Sequence, residues 1–227
     1  MELYRLTERI WYTSYEEERD RPALGYIKGD KFSVAVDAGH SDAHLNEFYD
    51  LLRKENLPLP SLTIITHWHW DHSFAMHCIN GISIANEKTN EYLKDFIRNR
   101  SSENDWKFLN LDPSIMLEYS GGREIKVVPA DVTFKDKLTI DAGNEKIELF
   151  RAVSPHTDDA TFAYLPEEKV LFIGDAISGV FPTWIADKDK TREQIKLFEE
   201  MDLNWIVGGH WEKWDKQGLI DHLKETL

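Results

Sequence analysis

Residues 67–72 read His67-Trp68-His69-Trp70-Asp71-His72, which places three of the chain's nine histidines and one carboxylate within six positions. Neutral imidazole and carboxylate are ordinary ligands of zinc, and they serve iron and manganese as well. On an extended segment residues i and i+2 point the same way, so His67 and His69 can share one ion. Asp71 and His72 lie past the bend and can reach a second. Four donors do not complete two sites, and candidates for the rest stand where other strand-like runs end. His156 follows 150–153, Asp175 follows Val170–Gly174 and His210 follows 205–209. The chemistry such a set supports is hydrolytic. A metal lowers the pKa of bound water to about 7, so a hydroxide exists at neutral pH. It would attack an electrophilic carbonyl, phosphorus or sulfur, and the metals would stabilise the oxyanion.

Strands must carry these donors, and short β-type runs alternate with amphipathic stretches along the chain. Ser33–Val36 reads as a strand ending in Asp37-Ala38-Gly39. Ser41 then caps a helix in which Leu45, Phe48, Tyr49 and Leu52 recur at i, i+3, i+4 and i+7. The β-branched run 62–66 is expected of a buried strand. Residues 82–84 form another, followed by a helix with Tyr92, Leu93, Phe96 and Ile97 on one face. Further on, Val132, Phe134, Leu138 and Ile140 sit at even spacing, and 147–150, 161–164 and 170–173 read as strands. Thr191 and Gln194 have capping-box spacing before a helix to about Met201. Residues 205–207 make a final strand and 215–227 a final helix. Residues 99–123 fit no element: Trp106, Phe108 and Met116 stand isolated among Asn, Ser, Asp and Gly. A loop that long is expected to be functional or mobile.

Composition bounds the rest. The 227 residues are 41% hydrophobic, with eight Trp, eleven Phe and eight Tyr, enough for a full core in one domain, 1–227. A formal net charge of −14 argues against nucleic acid and against an anionic membrane surface as partners, leaving a small molecule. No run approaches the roughly 18 apolar residues of a membrane span. The N-terminal residues carry charges where a signal peptide needs its apolar stretch, and Cys78 is the single cysteine. A soluble, cytoplasmic protein is expected. Cys78 is expected as an inert buried thiol on a helix after the motif. His40, His44, His77 and His222 belong to no motif and are expected as surface or capping residues. Glu16-Glu17-Glu18 reads as a solvated loop.

Five motifs occur in a telling order: Val36-Asp37-Ala38-Gly39, Thr66 to His72, Ser154-Pro155-His156-Thr157, Gly174-Asp175-Ala176 and Gly208-Gly209-His210. With them the chain resembles the metallo-β-lactamase-fold superfamily of metal-dependent hydrolases over nearly its whole length. The resemblance implies a single-domain, four-layer αβ/βα sandwich with two divalent ions, zinc foremost, at one sheet edge. His67, His69 and His156 would hold the first ion, and Asp71, His72 and His210 the second. Asp175 would bridge both, and a hydroxide between the ions would be the nucleophile. Asp71, a ligand beside that nucleophile, would orient it or accept its proton. Asp37 would hold a ligand loop by hydrogen bonds.

Departures from known branches narrow the substrate. Glyoxalase II-like thioesterases carry Gly-Gly where this chain has Ser73-Phe74, and a C-terminal helical domain where only seventeen residues follow His210. Zinc β-lactamases are exported and carry Cys or Ser at the bridging position, here Asp175. Quorum-quenching lactonases have Tyr where Ser178 stands, and tRNA-processing nucleases are longer. A small ester, thioester or lactone is the expected substrate. A phosphodiester or phosphonate is the alternative. Less favoured are a flavodiiron-like redox module, which would show Glu at His69 and a flavin domain, and a non-catalytic metal scaffold. Trp68 and Trp70 interleave the ligands, as pocket wall or as packing beneath them. Trp106, Phe181 and Trp184 are the loop aromatics expected to reach over the site.

Overall fold

A computed structural model describes residues 1–227. Seven strands form the first sheet in chain order: β1 (Leu3–Arg5), β2 (Ile10–Thr13), β3 (Gly25–Lys28), β4 (Ser33–Val36), β5 (Leu62–Ile64), β6 (Ile82–Asn86) and β7 (Val132–Phe134). Pairing is antiparallel up to β4 and parallel from there on. The second sheet holds β8 (Lys137–Asp141), β9 (Lys146–Arg151), β10 (Thr161–Leu165), β11 (Val170–Gly174), β12 (Trp205–Gly208) and β13 (Trp214–Asp215), with β11 and β12 parallel. Helices α1 (Asp42–Lys54), α2 (Trp70–Ser73), α3 (Glu87–Arg98), α4 (Ser102–Leu109) and α5 (Pro113–Glu118) belong to the first half. Helices α6 (Lys188–Glu200) and α7 (Lys216–Glu225) belong to the second.

The period of two along each strand builds the layers. Ile10, Ile27, Val34, Val36, Ile64 and Ile84 meet Leu149, Ala163, Val170, Phe172 and Val207 between the sheets. Their alternating neighbours Trp11, Tyr26, Ala35, Ile65 and Ala85 face Leu45, Phe48 and Leu52 of α1 and Leu93 of α3. On the far side Phe162, Leu171, Ile173 and Ile206 pack on Ile195 and Phe198 of α6 and Leu219, Ile220 and Leu223 of α7. The result is a four-layer αβ/βα sandwich.

Parallel register is what gathers the functional loops. Val36 pairs with Ile64, so Asp37 and Thr66 leave adjacent strands at one edge. Gly174 pairs with Gly208, so Asp175 and His210 leave neighbouring strands together. The Thr161 N–H donates to the Thr66 carbonyl at 2.7 Å and ties the two sheets at that edge. Gly174 adopts φ +53°, and a Cβ there would collide with Thr66 Oγ1, so this approach requires glycine.

Several expectations are corrected. Residues 99–123 are not a loop: Ser101 and Asp112 cap α4 and α5, with Pro113 opening the second. The even spacing of Val132, Phe134, Leu138 and Ile140 spans two strands in different sheets, because the chain crosses between them at 135–136. Helix α6 starts earlier than the Thr191/Gln194 spacing predicts, since the Asp187 carboxylate accepts from the Asp189 and Lys190 amides. Gln194 is buried and donates to the carbonyls of Val153 and Ala176. Ser41 does cap α1, accepting from the His44 amide. His40 and His44 are wholly buried rather than at the surface, with His44 Nδ1 accepting the His40 amide. Cys78 is exposed, at the end of the 3-10 turn Phe74–Cys78. No helix is long and apolar enough to cross a membrane.

Candidate metal centre

Donor atoms of His67, His69 and His156 lie within 4.8 Å of one another, as do those of Asp71, His72, Asp175 and His210. The tautomers of the first group follow from its outer hydrogen bonds. His156 Nδ1 lies 2.7 Å from the Gly179 carbonyl, which only an N–H can serve, so Nε2 carries a lone pair. Thr66 donates its hydroxyl to Asp37 at 2.9 Å. Its oxygen therefore accepts from His67 Nδ1, 3.1 Å away, and His67 Nε2 carries a lone pair too. His69 Nδ1 stands 3.1 Å from the one and 2.9 Å from the other. A single N–H satisfies at most one of them, so lone pairs converge on a common point. Nitrogens bound to a tetrahedral zinc stand roughly 3.3 Å apart, close to this spacing.

The second group is arranged around carboxylates. His72 donates Nδ1–H to Asp37 at 2.7 Å, which turns Nε2 toward Asp71 at 3.1 Å and Asp175 at 3.3 Å. Neither contact is aligned as a hydrogen bond, and His72 Nε2 and Asp175 Oδ1 are buried polar atoms without a partner. His210 Nε2 lies 2.9 Å from Asp71 and 3.4 Å from Asp175, whose Oδ2 is also 3.9 Å from His156 Nε2. Asp175 thus stands between the two groups. Orphaned buried donors and acceptors of this kind are costly unless something bridges them, and a divalent cation suits this donor set.

Electrostatics separate the halves. Burial and neighbouring imidazoles hold His67 well below the usual histidine range and His69 down to about 4, so both are neutral, as ligands must be. Burial also works against charge on His72 and His210, yet the carboxylates of Asp71 and Asp175 outweigh it and raise both. Despite burial, the same pairs hold Asp71 and Asp175 well below the carboxylate range.

Buried carboxylates position the loops. Asp37, at φ 65°, accepts from the Thr66 amide and hydroxyl and from His72, and so reaches both donor groups without touching their centre. Asp159 accepts the Trp68 amide at 2.9 Å and the Thr89 hydroxyl at 2.8 Å, tying the histidine loop to the start of β10.

The centre opens into a cavity of about 200 Å³ lined by His69, Asp71, His156, Asp175 and His210, with Tyr15, Glu17, Asp20, Trp70, Ser178, Phe181 and Trp184 around them. Trp70, Phe181 and Trp184 are therefore wall residues. Trp68 packs its ring 5.0 Å from His69 but lines a separate cleft with Tyr92 and Phe96. Trp106 reaches neither: α4 buries Phe108, and Trp106, two residues earlier, falls on the opposite side and is 64% exposed. Tyr15, Glu17 and Asp20 escaped sequence reading. They lie between β2 and β3, where the acidic run reads as solvated loop. The Asp20 carboxyl is pushed up to about 7 by burial and by Asp71, and sits 3.6 Å from His210 Nδ1.

Residues 22–210 match the model of the metallo-beta-lactamase superfamily. Solved structures share the fold. A metallo-beta-lactamase from Pontibacter korlensis is 19% identical with a TM-score of 0.71, over 99% of this chain and 98% of that one. The DIM-1 metallo-beta-lactamase is 22% identical with a TM-score of 0.67, over 100% and 97%. The sec-alkyl sulfatase PisA1 is 14% identical with a TM-score of 0.70, over 99% of this chain and 40% of that one. No curated protein matches the sequence.

Proposed function

The chain belongs to the metallo-beta-lactamase superfamily, and on that premise we propose that it is a hydrolase that holds two divalent ions, zinc foremost, and cleaves a small ester, thioester or lactone. One observation carries the reading: two donor groups meet at a single buried carboxylate, Asp175, whose Oδ1 and the facing His72 Nε2 no protein group satisfies. His67, His69 and His156 would hold one ion, Asp71, His72 and His210 the other, and Asp175 both. When bound, the ions supply a water acidified toward neutral pKa and positive charge beside the carbonyl oxygen.

The chain's own residues do the rest. Asp37 and Thr66 fix the tautomers of His67 and His72, and the Gly179 carbonyl fixes that of His156. Asp71, lining the cavity, orients the attacking water and takes the proton it gives up. Trp70, Phe181 and Trp184 exclude water from one side and hold the non-reacting part of a small substrate. The test combines metal analysis of gently purified protein with turnover on esters, thioesters, lactones, β-lactams and phosphodiesters. Two equivalents of metal with ester-type turnover that His67→Ala abolishes are expected. Saturation at one equivalent, or turnover of phosphodiesters alone, would refute the reading.

A further inference from the structure

The wall of the cavity has a geometry of its own. Phe181 stands edge-to-face against Trp70 at 86° with ring centres 6.0 Å apart, and against Trp184 at 81° and 5.6 Å. Trp184 lies flat over His156, 6.1 Å away and 4° from parallel, yet remains 57% exposed. Set at right angles beside one cavity, these rings form a corner that lines it. Such corners suit a cation, because each face presents the negative lobe of its quadrupole.

Charge on the cavity points the same way. Its lining contains four carboxylates, Glu17, Asp20, Asp71 and Asp175, and no Lys or Arg. Asp71 and Asp175 belong to the donor groups, which leaves Glu17 and Asp20 at the mouth. The nearby guanidinium groups are engaged elsewhere: Arg19 pairs with Glu16, and Arg21 with Glu16, Glu47 and Glu118. Beside Glu17 and Asp20 an anionic tail on the substrate would meet like charge with no lysine or arginine to offset it, and an apolar tail would desolvate the exposed Glu17 side chain without compensation. The chain's net charge of −14 also draws cations toward it.

We propose that the substrate carries an ammonium group at its non-reacting end, seated between the Phe181–Trp184 corner and the carboxylates of Glu17 and Asp20. The proposal rests on the hydrolase reading above and names its substrate class: a small ester of an amino alcohol or a comparable ammonium-bearing acyl compound. Hydrolysis consumes one water and breaks the acyl C–O bond. The hydroxyl stays on the acid, and the remaining proton goes to the departing alcohol.

The test uses the full-length, metal-loaded protein and three acyl esters of similar size. These are acetylcholine, its uncharged carbon isostere 3,3-dimethylbutyl acetate, and the anionic ester monomethyl succinate. The expected order in kcat/KM is cationic over neutral by roughly 10-fold, with the anion poorest. Glu17→Gln and Trp184→Ala should each shrink the cationic-to-neutral ratio, and added salt should shrink it in the parent. A second readout does not depend on turnover: tetramethylammonium should quench tryptophan fluorescence in the parent and far less in Trp184→Ala. Turnover of the neutral ester with no preference for acetylcholine would overturn the ammonium assignment and leave the hydrolase reading standing. Quenching that depends on Trp184 with no turnover of any ester would refute the hydrolase reading and leave the ammonium cage. Neither preference nor quenching would overturn the proposal outright.

Discussion

Replacing Asp37 with Asn should loosen the second ion while leaving the fold in place. The residue is buried and its carboxylate accepts three donors: the Thr66 amide at 2.8 Å, the Thr66 hydroxyl at 2.9 Å and His72 Nδ1–H at 2.7 Å. An amide of the same shape replaces one oxygen by NH₂, so at least one donor faces another donor. The threonine hydroxyl can rotate away. His72 can escape only by moving its proton to Nε2, which then points an N–H at Asp71 and Asp175 and is no longer a ligand. Losing such an outer partner typically weakens metal binding about 10–100-fold, or about 1.4–2.7 kcal/mol. That range matches one buried hydrogen bond to a charged group, about 1.5–3 kcal/mol. Competition against a chromophoric chelator would resolve the two ions. The second should weaken by that factor and the first much less. Thr66→Val is the converse, because it removes the acceptor for His67 Nδ1 and should weaken the first ion. If Asp37→Asn folded, kept both ions at parental affinity and still lost turnover, Asp37 would act on the reacting atoms and the positioning argument would fail.

Asp175→Ala should release both ions together, since this carboxylate faces His72 and His210 on one side and His156 on the other; retention of one full equivalent by elemental analysis would contradict it. Glu118 is fully buried and takes a bidentate pair from Arg21 at 2.9 and 3.0 Å. Glu118→Gln should therefore cost about 1.5–3 kcal/mol in denaturant unfolding, since Arg21 loses one charged partner but keeps Glu16 and Glu47; a loss under about 0.5 kcal/mol would show the pair to be dispensable. Burial and the nearby Glu168 push the Glu145 carboxyl up to about 7 from 4.5. A raised carboxyl pKa means the folded state binds the proton more tightly, so stability falls as pH climbs from about 4.5 through 7. Glu145→Gln should then raise Tm at pH 8 more than at pH 5, and equal shifts at the two values would count against the assignment.

What the sequence determined by itself is local. Donor types at fixed spacing in His67–His72, strand periods of two, and the Ser41 cap are all carried by residues within a few positions of one another. Short-range geometry alone decides what such patterns can form. The later donors were legible because each ends a strand-like run, and the family resemblance supplied their pairing. Tertiary structure decided whatever depends on which distant segments meet. His210 reaches Asp71 across 139 residues, and Arg21 reaches Glu118 across 97. No periodicity places Glu17 and Asp20 at the cavity mouth or sends Trp106 to solvent and Trp184 over His156. None shows that Asp37 serves both donor groups or that His40 and His44 are buried. Parallel register between β4 and β5 and between β11 and β12 fixes those meetings, and it is set by core packing summed over both sheets. The chemistry of each donor is a property of its side chain, whereas the convergence of donors is a property of the packed whole.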